Sequence, residues 1–318
     1  MDNYKKLIEL LKEYKKTKFW EIISGDDFFK IKDKKDIFVS VMGQEGMDNS
    51  IAVYCGKDEL LSQLDTAFYE YQNSPDSYNR LGCFKICVED SGNLVMKDDK
   101  KKLKKNKLSV DMVALKLEPG YLPRLVTEEE SLFLIDVIEK IIMISKYYKE
   151  KGLTAPSDKL IDKMYVFDCD ENQVSHKKVS FPKLTYKNEK TKKLDQDLVN
   201  KTLIFKQKGT YEVGLMYSPF YLDDEKNYPY VIIVFDNENG LIIDVKLTSL
   251  DNRSNFQNEL LSIFEKKKIY PKNLSFNGTD VLYLCKDLIQ ELKVNFRVNP
   301  NSEQIFEIWT GMYKGLGK

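Results

Sequence analysis

Residues 228–247 read YPYVIIVFDNENGLIIDVKL, and two apolar runs in this stretch flank a short polar centre. Runs rich in Val and Ile are typical of β-strands, and the polar centre from Asp236 to Gly240 is typical of a tight turn. Asn239 and Gly240 are residue types that tolerate a positive φ. The stretch therefore predicts a β-hairpin, and it places Asp236 in the turn of that hairpin rather than in an active site.

The composition is that of a soluble globular protein that is long enough for two domains. The chain has 318 residues, of which 42% are hydrophobic and 31% are charged. Fifty basic residues balance fifty acidic ones, so no overall field favours nucleic acid or an anionic membrane. The sequence has no signal-peptide pattern, no apolar run of membrane-spanning length and no paired cysteine spacing. We therefore expect a cytoplasmic protein with reduced cysteines and no membrane partner.

The two halves of the chain meet at a segment with the composition of a linker. Residues 149–159, KEKGLTAPSDK, contain Gly, Pro and Ser, and the hydrophobic period changes from helical to alternating after them. Thr127 and Glu130, before this segment, have the spacing of a capping box that begins a long helix. Gly152, within the segment, is placed to end that helix. We predict an N-terminal α+β domain over residues 1–154 and a C-terminal α+β domain over residues 155–318.

Five stretches in this order carry a resemblance that covers most of the chain. They are FVSVMGQEG at residues 38–46, IAVYCG at 51–56, DDKKKLKKNKL at 98–108, LKLEPGYLPRLVTEEES at 115–131 and YPYVIIVFDNENGLIIDV at 228–245. Taken together they resemble a group of bacterial two-domain proteins with domains of unknown function. The resemblance implies an architecture of two domains, and it implies no particular activity.

Residues 209–313 carry a second resemblance, which is to the ribonuclease H-like fold of integrases and transposases. The order of strand, hairpin strands, helix, strand and helix is similar to that fold, which implies a mixed sheet flanked by helices. In those enzymes carboxylates on the first strand, on the strand after the first long helix and on a late helix share two divalent metal ions. The resemblance implies a nuclease or nucleotidyl-transfer enzyme with Mg²⁺ or Mn²⁺ as its cofactor.

The acidic residues that could take these catalytic roles are Glu212, Asp280, Glu303 and Glu307. Glu212 is the only acid in the candidate first strand, TYEVGLMYSP, and Gly214 lies where a central carboxylate would be needed. Asn277 stands at the position of the second aspartate of those enzymes, and Asp280 fits the cap of the following helix. Because a missing central ligand removes the clamp that two metals share, the residues favour a degenerate site or an unrelated fold. Metal-dependent catalysis is kept as the alternative.

Other common catalytic chemistries find little support in the sequence. His176 is the only histidine and lies in the polar segment NQVSHKKVS, so we interpret it as a surface residue. A single histidine excludes histidine-rich zinc sites, and the sequence has no nucleophile motif to accompany it. Seven lysines in residues 97–107 predict a short solvated helix, with a binding patch as the alternative.

Two segments, YLPRL at residues 121–125 and YSPFYL at 217–222, combine aromatic residues with proline in predicted loops. Tyrosine and arginine are over-represented at interaction hot spots. The residues that we expect to contact a partner are Tyr121, Arg124, Tyr217, Phe220 and Tyr221. The alternative is that these tyrosines pack at a domain interface. We therefore predict a non-catalytic binding protein, with a protein as the first expected partner and nucleic acid as the second.

Overall fold

The computed structural model describes residues 1–44, 49–89, 94–159, 161–170, 173–186, 189–222 and 224–316. The chain forms two compact units. The first unit contains residues 1–61, 82–118 and 123–184, and the second contains residues 62–81, 119–122 and 185–318. The predicted boundary between residues 154 and 155 differs from this division, because residues 155–184 belong to the first unit and two short segments of the N-terminal half belong to the second.

The first unit is built on a mixed sheet. Its strands are β1 (Phe29–Ile31), β2 (Ile37–Met42), β3 (Ser50–Cys55), β4 (Cys83–Cys87), β5 (Val113–Leu117), β6 (Arg124–Leu125), β7 (Lys163–Asp170) and β8 (Gln173–Ser180). Their order across the sheet is β6-β5-β4-β3-β2-β1-β7-β8. Neighbouring strands are antiparallel except for β1 and β7, which are parallel.

The pairing of β7 explains why residues 155–184 belong to the first unit. Phe29 of β1 lies in register with Tyr165 of β7. The rings of Phe29 and Phe167 meet edge to face at 5.6 Å, and both side chains are buried in the core of this unit. The linker-like segment therefore connects a helix to a strand of the same unit.

The helices of the N-terminal half are α1 (Asp2–Thr17), α2 (Lys57–Ala67), α3 (Lys97–Lys105) and α4 (Glu128–Lys151). The predicted capping box of α4 is confirmed, because Glu130 N donates to Oγ1 of Thr127 (3.1 Å) and Thr127 N donates to Oε2 of Glu130 (2.7 Å). Gly152 ends α4 with a φ of 58°, as expected. The lysine-rich stretch forms α3, as predicted, with Leu103 as its buried residue.

The second unit has a mixed sheet of its own. Its strands are β9 (Thr210–Tyr217), β10 (Tyr230–Asp236), β11 (Leu241–Thr248), β12 (Asn273–Phe276) and β13 (Asn295–Val298). Their order is β11-β10-β9-β12-β13. Strand β10 is antiparallel to both β9 and β11, whereas β12 is parallel to both β9 and β13. The predicted α+β class is confirmed for both halves of the chain.

Helices cover both faces of the second sheet. They are α5 (Gln196–Leu203), α6 (Phe256–Lys267), α7 (Thr279–Leu284), α8 (Lys286–Leu292) and α9 (Glu303–Leu316). Val213 and Leu215 of β9 point to the larger core, which α5 to α8 line. Met216 points to the opposite face, where it packs with Ile305 and Trp309 of α9. This alternation is expected for a central strand buried on both sides.

The opening stretch forms the predicted hairpin of β10 and β11. Oδ1 of Asp236 accepts from the backbone N of Glu238 (2.9 Å) and of Asn239 (3.1 Å), and Gly240 N donates to the carbonyl of Asp236 (2.9 Å). Gly240 adopts the expected positive φ of 67°. Asn239 does not adopt the positive φ that its residue type predicts. Its side chain instead donates to Oδ2 of Asp236 (2.8 Å) in a turn of four residues.

No helix in the described ranges combines the length and the apolar composition that a membrane span requires.

Candidate binding surface

Residues 119–122 lie against the loop that joins β9 to β10 within the second unit. Leu122 N donates to the carbonyl of Lys226 (3.0 Å), and Tyr228 N donates to the carbonyl of Gly120 (2.7 Å). Because both bonds join backbone groups, they fix the two segments side by side whatever their side chains do.

The β9–β10 loop is also closed on itself. Leu222 N donates to the carbonyl of Asn227, and Lys226 N donates back to the carbonyl of Leu222, both over 2.7 Å. The side-chain amide of Asn227 donates to Oε2 of Glu225 (2.8 Å). A loop with this many internal bonds loses little conformational freedom when a partner binds.

Gly120 allows the short segment to take its path. Its φ is +79°, a backbone conformation that residues with a Cβ rarely adopt. Its backbone N donates to the carbonyl of Asn79 (2.8 Å). The glycine therefore directs the next residue, Tyr121, outward from the unit, where 44% of its surface is exposed.

Five side chains on this framework form what we call the aromatic loop surface: Tyr121, Phe220, Tyr221, Leu222 and Tyr228. Tyr221 is 41% exposed and Leu222 is 39% exposed, while Phe220 and Tyr228 are half-buried. The rings of Tyr221 and Tyr228 meet edge to face at 5.9 Å. The backbone bonds thus place the segment of Tyr121 beside the loop that carries Phe220 and Tyr221, which are separate segments in the sequence.

Two other residues predicted to bind lie elsewhere. Tyr217 is the last residue of β9 and is buried, with its ring stacked on that of Tyr230 at 4.8 Å. Arg124 belongs to the first unit, where its guanidinium binds both carboxylate oxygens of Glu130 (2.7 and 2.8 Å) and also contacts Glu118 (3.3 Å). Neither side chain contributes to the aromatic loop surface.

A buried ionic cluster lies next to Tyr217 in the second unit. Arg80 donates to the carbonyl of Leu215 (3.1 Å) and pairs with Asp76 (3.0 Å) and Asp280 (3.8 Å). Arg253 also pairs with Asp280 (2.8 Å). Burial raises the pKa of Asp280, but the two guanidinium groups outweigh burial and hold that pKa below its ordinary value.

The same cluster anchors residues 62–81 to the second unit. Oδ2 of Asp76 accepts from the backbone N of Tyr217 (2.8 Å), and the guanidinium of Arg80 lies 3.6 Å from the centre of the Tyr71 ring. The hydroxyl of Tyr71 donates to Asp280. Asp280 is therefore the counter-ion of a structural cluster.

Glu212, the other central candidate for catalysis, lies on the face of β9 that α9 covers. Its carboxylate accepts from Nδ2 of Asn299 (3.2 Å) and from the hydroxyl of Ser302. Glu303 and Glu307 are exposed on α9 itself. In the part of the chain that the structure describes, no three His, Cys, Asp or Glu side chains are grouped closely enough to hold a metal ion. The structure does not bring the four acids together.

Asn277 extends the pairing of β9 with β12 by one residue. Its Oδ1 accepts from the backbone N of Leu215 (3.1 Å), and its own N donates to the carbonyl of Val213 (3.1 Å). The position that the resemblance assigns to an aspartate thus has a structural role here.

The exposed His176 lies on β8 in the first unit, where Nδ1 is 3.1 Å from the hydroxyl of Tyr147. No disulfide bond joins any of the five cysteines, all of which lie in the described residues.

Sequence reasoning missed part of the surface and the whole ionic cluster. Leu222 ends the YSPFYL segment and Tyr228 opens the hairpin stretch, so their positions beside a predicted binding loop were a usable signal. Arg80 and Tyr71 gave no such signal, because Asp280, the partner that they share, is distant in the chain.

Comparison with known families covers both halves of the chain. Residues 4–163 match a family model described as "Domain of unknown function (DUF7309)", and residues 200–313 match one described as "Domain of unknown function (DUF6930)". These two matches confirm the predicted resemblance to two-domain proteins with domains of unknown function. No curated protein and no solved structure matches the chain.

Proposed function

We propose that this member of the DUF7309 family of domains of unknown function is a non-catalytic binding protein. Residues 200–313, C-terminal to the DUF7309 match, match the DUF6930 family. The aromatic loop surface would bind a protein partner in the cytoplasm. The observation that carries this proposal is the joint exposure of Tyr121, Tyr221 and Leu222 on one hydrogen-bonded framework.

Large exposed side chains on a fixed framework suit a binding hot spot. Tyrosine buries much apolar area at a low cost in side-chain entropy and keeps a hydroxyl for a hydrogen bond. The backbone bonds from Leu122 to Lys226 and from Tyr228 to Gly120 hold the surface in place before a partner arrives. Binding therefore requires little reordering, which favours affinity.

The charges beside the surface favour protein over nucleic acid. Asp224 and Glu225 follow Leu222 in the loop and are exposed, and Lys226 is the exposed cation next to them. Proteins that bind nucleic acid place a surplus of Lys and Arg against the phosphates. A tyrosine surface flanked by acids instead suits a protein partner with an apolar centre and basic groups at its rim.

We further propose that the second unit is a degenerate form of the ribonuclease H-like fold. The central position of β9 supports this, with the β10–β11 hairpin on one side of it and the parallel strands β12 and β13 on the other. The separate surroundings of Glu212 and Asp280 support binding over catalysis, because two-metal chemistry needs carboxylates that share the ions.

Affinity capture from the native host tests the proposal. The tagged chain is compared with the double variant Tyr121→Ala/Tyr221→Ala and with the control Tyr283→Ala/Tyr313→Ala, which removes two exposed tyrosines from other sites of the same unit. We expect one protein to be retained by the wild type and the control and lost by the double variant. With that protein purified, the double variant should bind about 10- to 100-fold more weakly, since a hot-spot residue contributes about 1 kcal/mol or more.

Nuclease treatment of the lysate before capture separates a protein partner from a nucleic acid. Retention of the same protein by the double variant would contradict the proposal, and so would a retained species that nuclease removes.

A further inference from the structure

Strand β11 is an edge strand with unusually apolar side chains. It lies at the end of the strand order β11-β10-β9-β12-β13 and runs over eight residues, Leu241–Thr248. Leu241 is 57% exposed and Ile242 is 55% exposed, and Val245 and Leu247 are exposed as well. Long apolar edges of this kind are normally covered or protected by charge, because their free N–H and C=O groups can pair with another strand.

The register with β10 sorts the side chains of β11 by face. Val245 lies opposite Ile233 and Leu247 lies opposite Val231, so both point to the face that α9 covers only in part. Asp244 and Lys246 pair with the intervening residues of β10 and point to the face of α6. The side chain of Lys246 forms an ion pair with Glu259 of that helix.

We propose that β11 pairs with β11 of a second copy of this chain, antiparallel and centred on Val245. A two-fold interface of this kind places each residue opposite its mirror position about the centre. With Val245 opposite itself, Asp244 of each copy lies opposite Lys246 of the other. The pairing joins two five-stranded sheets into one continuous sheet and covers the β11 edge of each copy.

Charge selects this register among its neighbours. Registers that are shifted by one residue in the pairing would turn the apolar face of one copy to the charged face of the other. Centring the pair on residue 244 would bring two aspartates together, and centring it on residue 246 would bring two lysines together. Like charges directly opposite on neighbouring strands are destabilising, whereas opposite charges contribute favourably.

This complementarity is also the reason to choose a second copy as the occupant. The strand carries an acid and a base at equal distances from Val245, so it matches itself in antiparallel orientation. The proposal is independent of the aromatic loop surface, because none of the residues of β11 belongs to that surface.

Disulfide trapping tests both the dimer and its register. In a Cys55→Ser background, which removes the exposed native cysteine, the Val245→Cys variant places two thiols opposite each other at the two-fold axis. The matched control is Ile242→Cys, on the same strand and more exposed (55% against 37% for Val245), whose two copies would lie about 20 Å apart. We expect oxidation to give a covalent dimer for Val245→Cys and none for Ile242→Cys.

Sedimentation of the 318-residue chain supplies the second measurement. The wild type should sediment as a dimer, and Asp244→Lys should raise the dimer dissociation constant about 10-fold because it brings lysines together. A monomer at every concentration would overturn the proposal. A dimer that Asp244→Lys leaves unchanged, or that Ile242→Cys traps as well as Val245→Cys, would overturn it too.

Discussion

Gly120 lies directly against the ring of Tyr217: a Cβ added to Gly120 would come within 2.6 Å of Cε1 of that ring. Tyr217 is buried and Tyr121 is exposed, so the glycine separates a core tyrosine from a surface tyrosine. The segments that the sequence groups as one kind of aromatic loop therefore have two roles. Tyr217 supports the framework, and Tyr121 is available to a partner.

Replacing Gly120 by alanine tests this support. The variant must strain a φ of +79° and displace the Tyr217 ring, so we expect a loss of about 2 to 4 kcal/mol in the free energy of unfolding. The matched control is Gly240→Ala, where φ is +67° and no atom lies within 4 Å of the added Cβ. The control should lose about 1 kcal/mol, from backbone strain alone. Equal losses for the two variants would show that Gly120 does not pack on Tyr217 as described.

The two tryptophans allow each unit to be followed separately. Trp20 belongs to the core of the first unit, and Trp309 lies in the second, where Nε1 donates to the carbonyl of Tyr217 (2.6 Å). A Trp20→Phe background leaves Trp309 as the fluorescent reporter of the second unit, since the chain has only two tryptophans. Urea titrations in this background measure the stability of the unit that carries the aromatic loop surface.

Arg80→Met should strongly destabilise the second unit. It removes the guanidinium that pairs with Asp76 and Asp280, which leaves Asp76 buried without its arginine and leaves Asp280 with Arg253 alone. Breaking a buried ion pair in this way costs about 3 to 5 kcal/mol. The matched control is Arg297→Met, an exposed arginine of the same unit whose contact is Oγ of Ser275, and it should change stability by about 0.5 kcal/mol or less. If Arg80→Met lowered the free energy of unfolding as little as the control does, the result would contradict the anchoring role of the cluster.

The stability of the second unit should fall as the pH rises from about 4 to about 7. Burial raises the pKa of Asp65 from 3.8 to about 7, while a hydrogen bond from Tyr186 opposes the shift and the charges of Glu70 and Asp280 add to it. The folded chain therefore holds a proton on Asp65 across this window that the unfolded chain has released, and stability decreases with pH. At about 1.4 kcal/mol for each pKa unit, the loss approaches 4 kcal/mol.

Asp65→Asn isolates this effect, because the amide keeps the shape of the protonated acid at every pH. We expect the variant to be more stable than the wild type at pH 8 and to lose that advantage at pH 4. The difference between the two proteins removes the contributions of other groups, including Glu130, whose pKa Arg124 lowers to about 2. A pH profile that is identical for the two proteins would contradict the assignment.

Divalent metals should leave the second unit unaffected. Glu212 is held by Asn299 and Ser302, and Asp280 is held by two arginines, so the acids offer no shared site to Mg²⁺ or Mn²⁺. We expect the urea midpoint reported by Trp309 to be unchanged by either ion, and DNA and RNA to remain intact. A metal-induced stabilisation that Glu212→Gln abolishes would instead support the catalytic alternative.

Features set by neighbouring residues could be predicted from the sequence. The capping box of α4 depends on Thr127 and Glu130, three positions apart, and the hairpin depends on two apolar runs with Gly240 between them. In both cases local chemistry chooses the structure before any distant contact forms. The same holds for the α+β class, which follows from the alternation of helical and strand periods.

Features set by distant contacts could not be predicted. Residues 62–81 belong to the second unit because Arg80 meets Asp280, and no periodic pattern links positions so far apart. The parallel pairing of β1 with β7 could not be predicted from the sequence for the same reason. Because of this pairing, residues 155–184 belong to the first unit. For the binding surface, the sequence supplied Tyr121 and Tyr221 but not the backbone bonds that bring their segments together.

Site-specific photo-crosslinking tests the central claim most directly. The photoreactive amino acid p-benzoylphenylalanine replaces Tyr221 in the chain expressed in its native host, and a second strain carries it in place of Tyr283, an exposed tyrosine of the same unit outside the aromatic loop surface. We predict that irradiation joins one host protein to the chain from position 221 and not from position 283. The absence of any protein adduct at position 221, or the same adducts from both positions, would contradict the proposed binding surface.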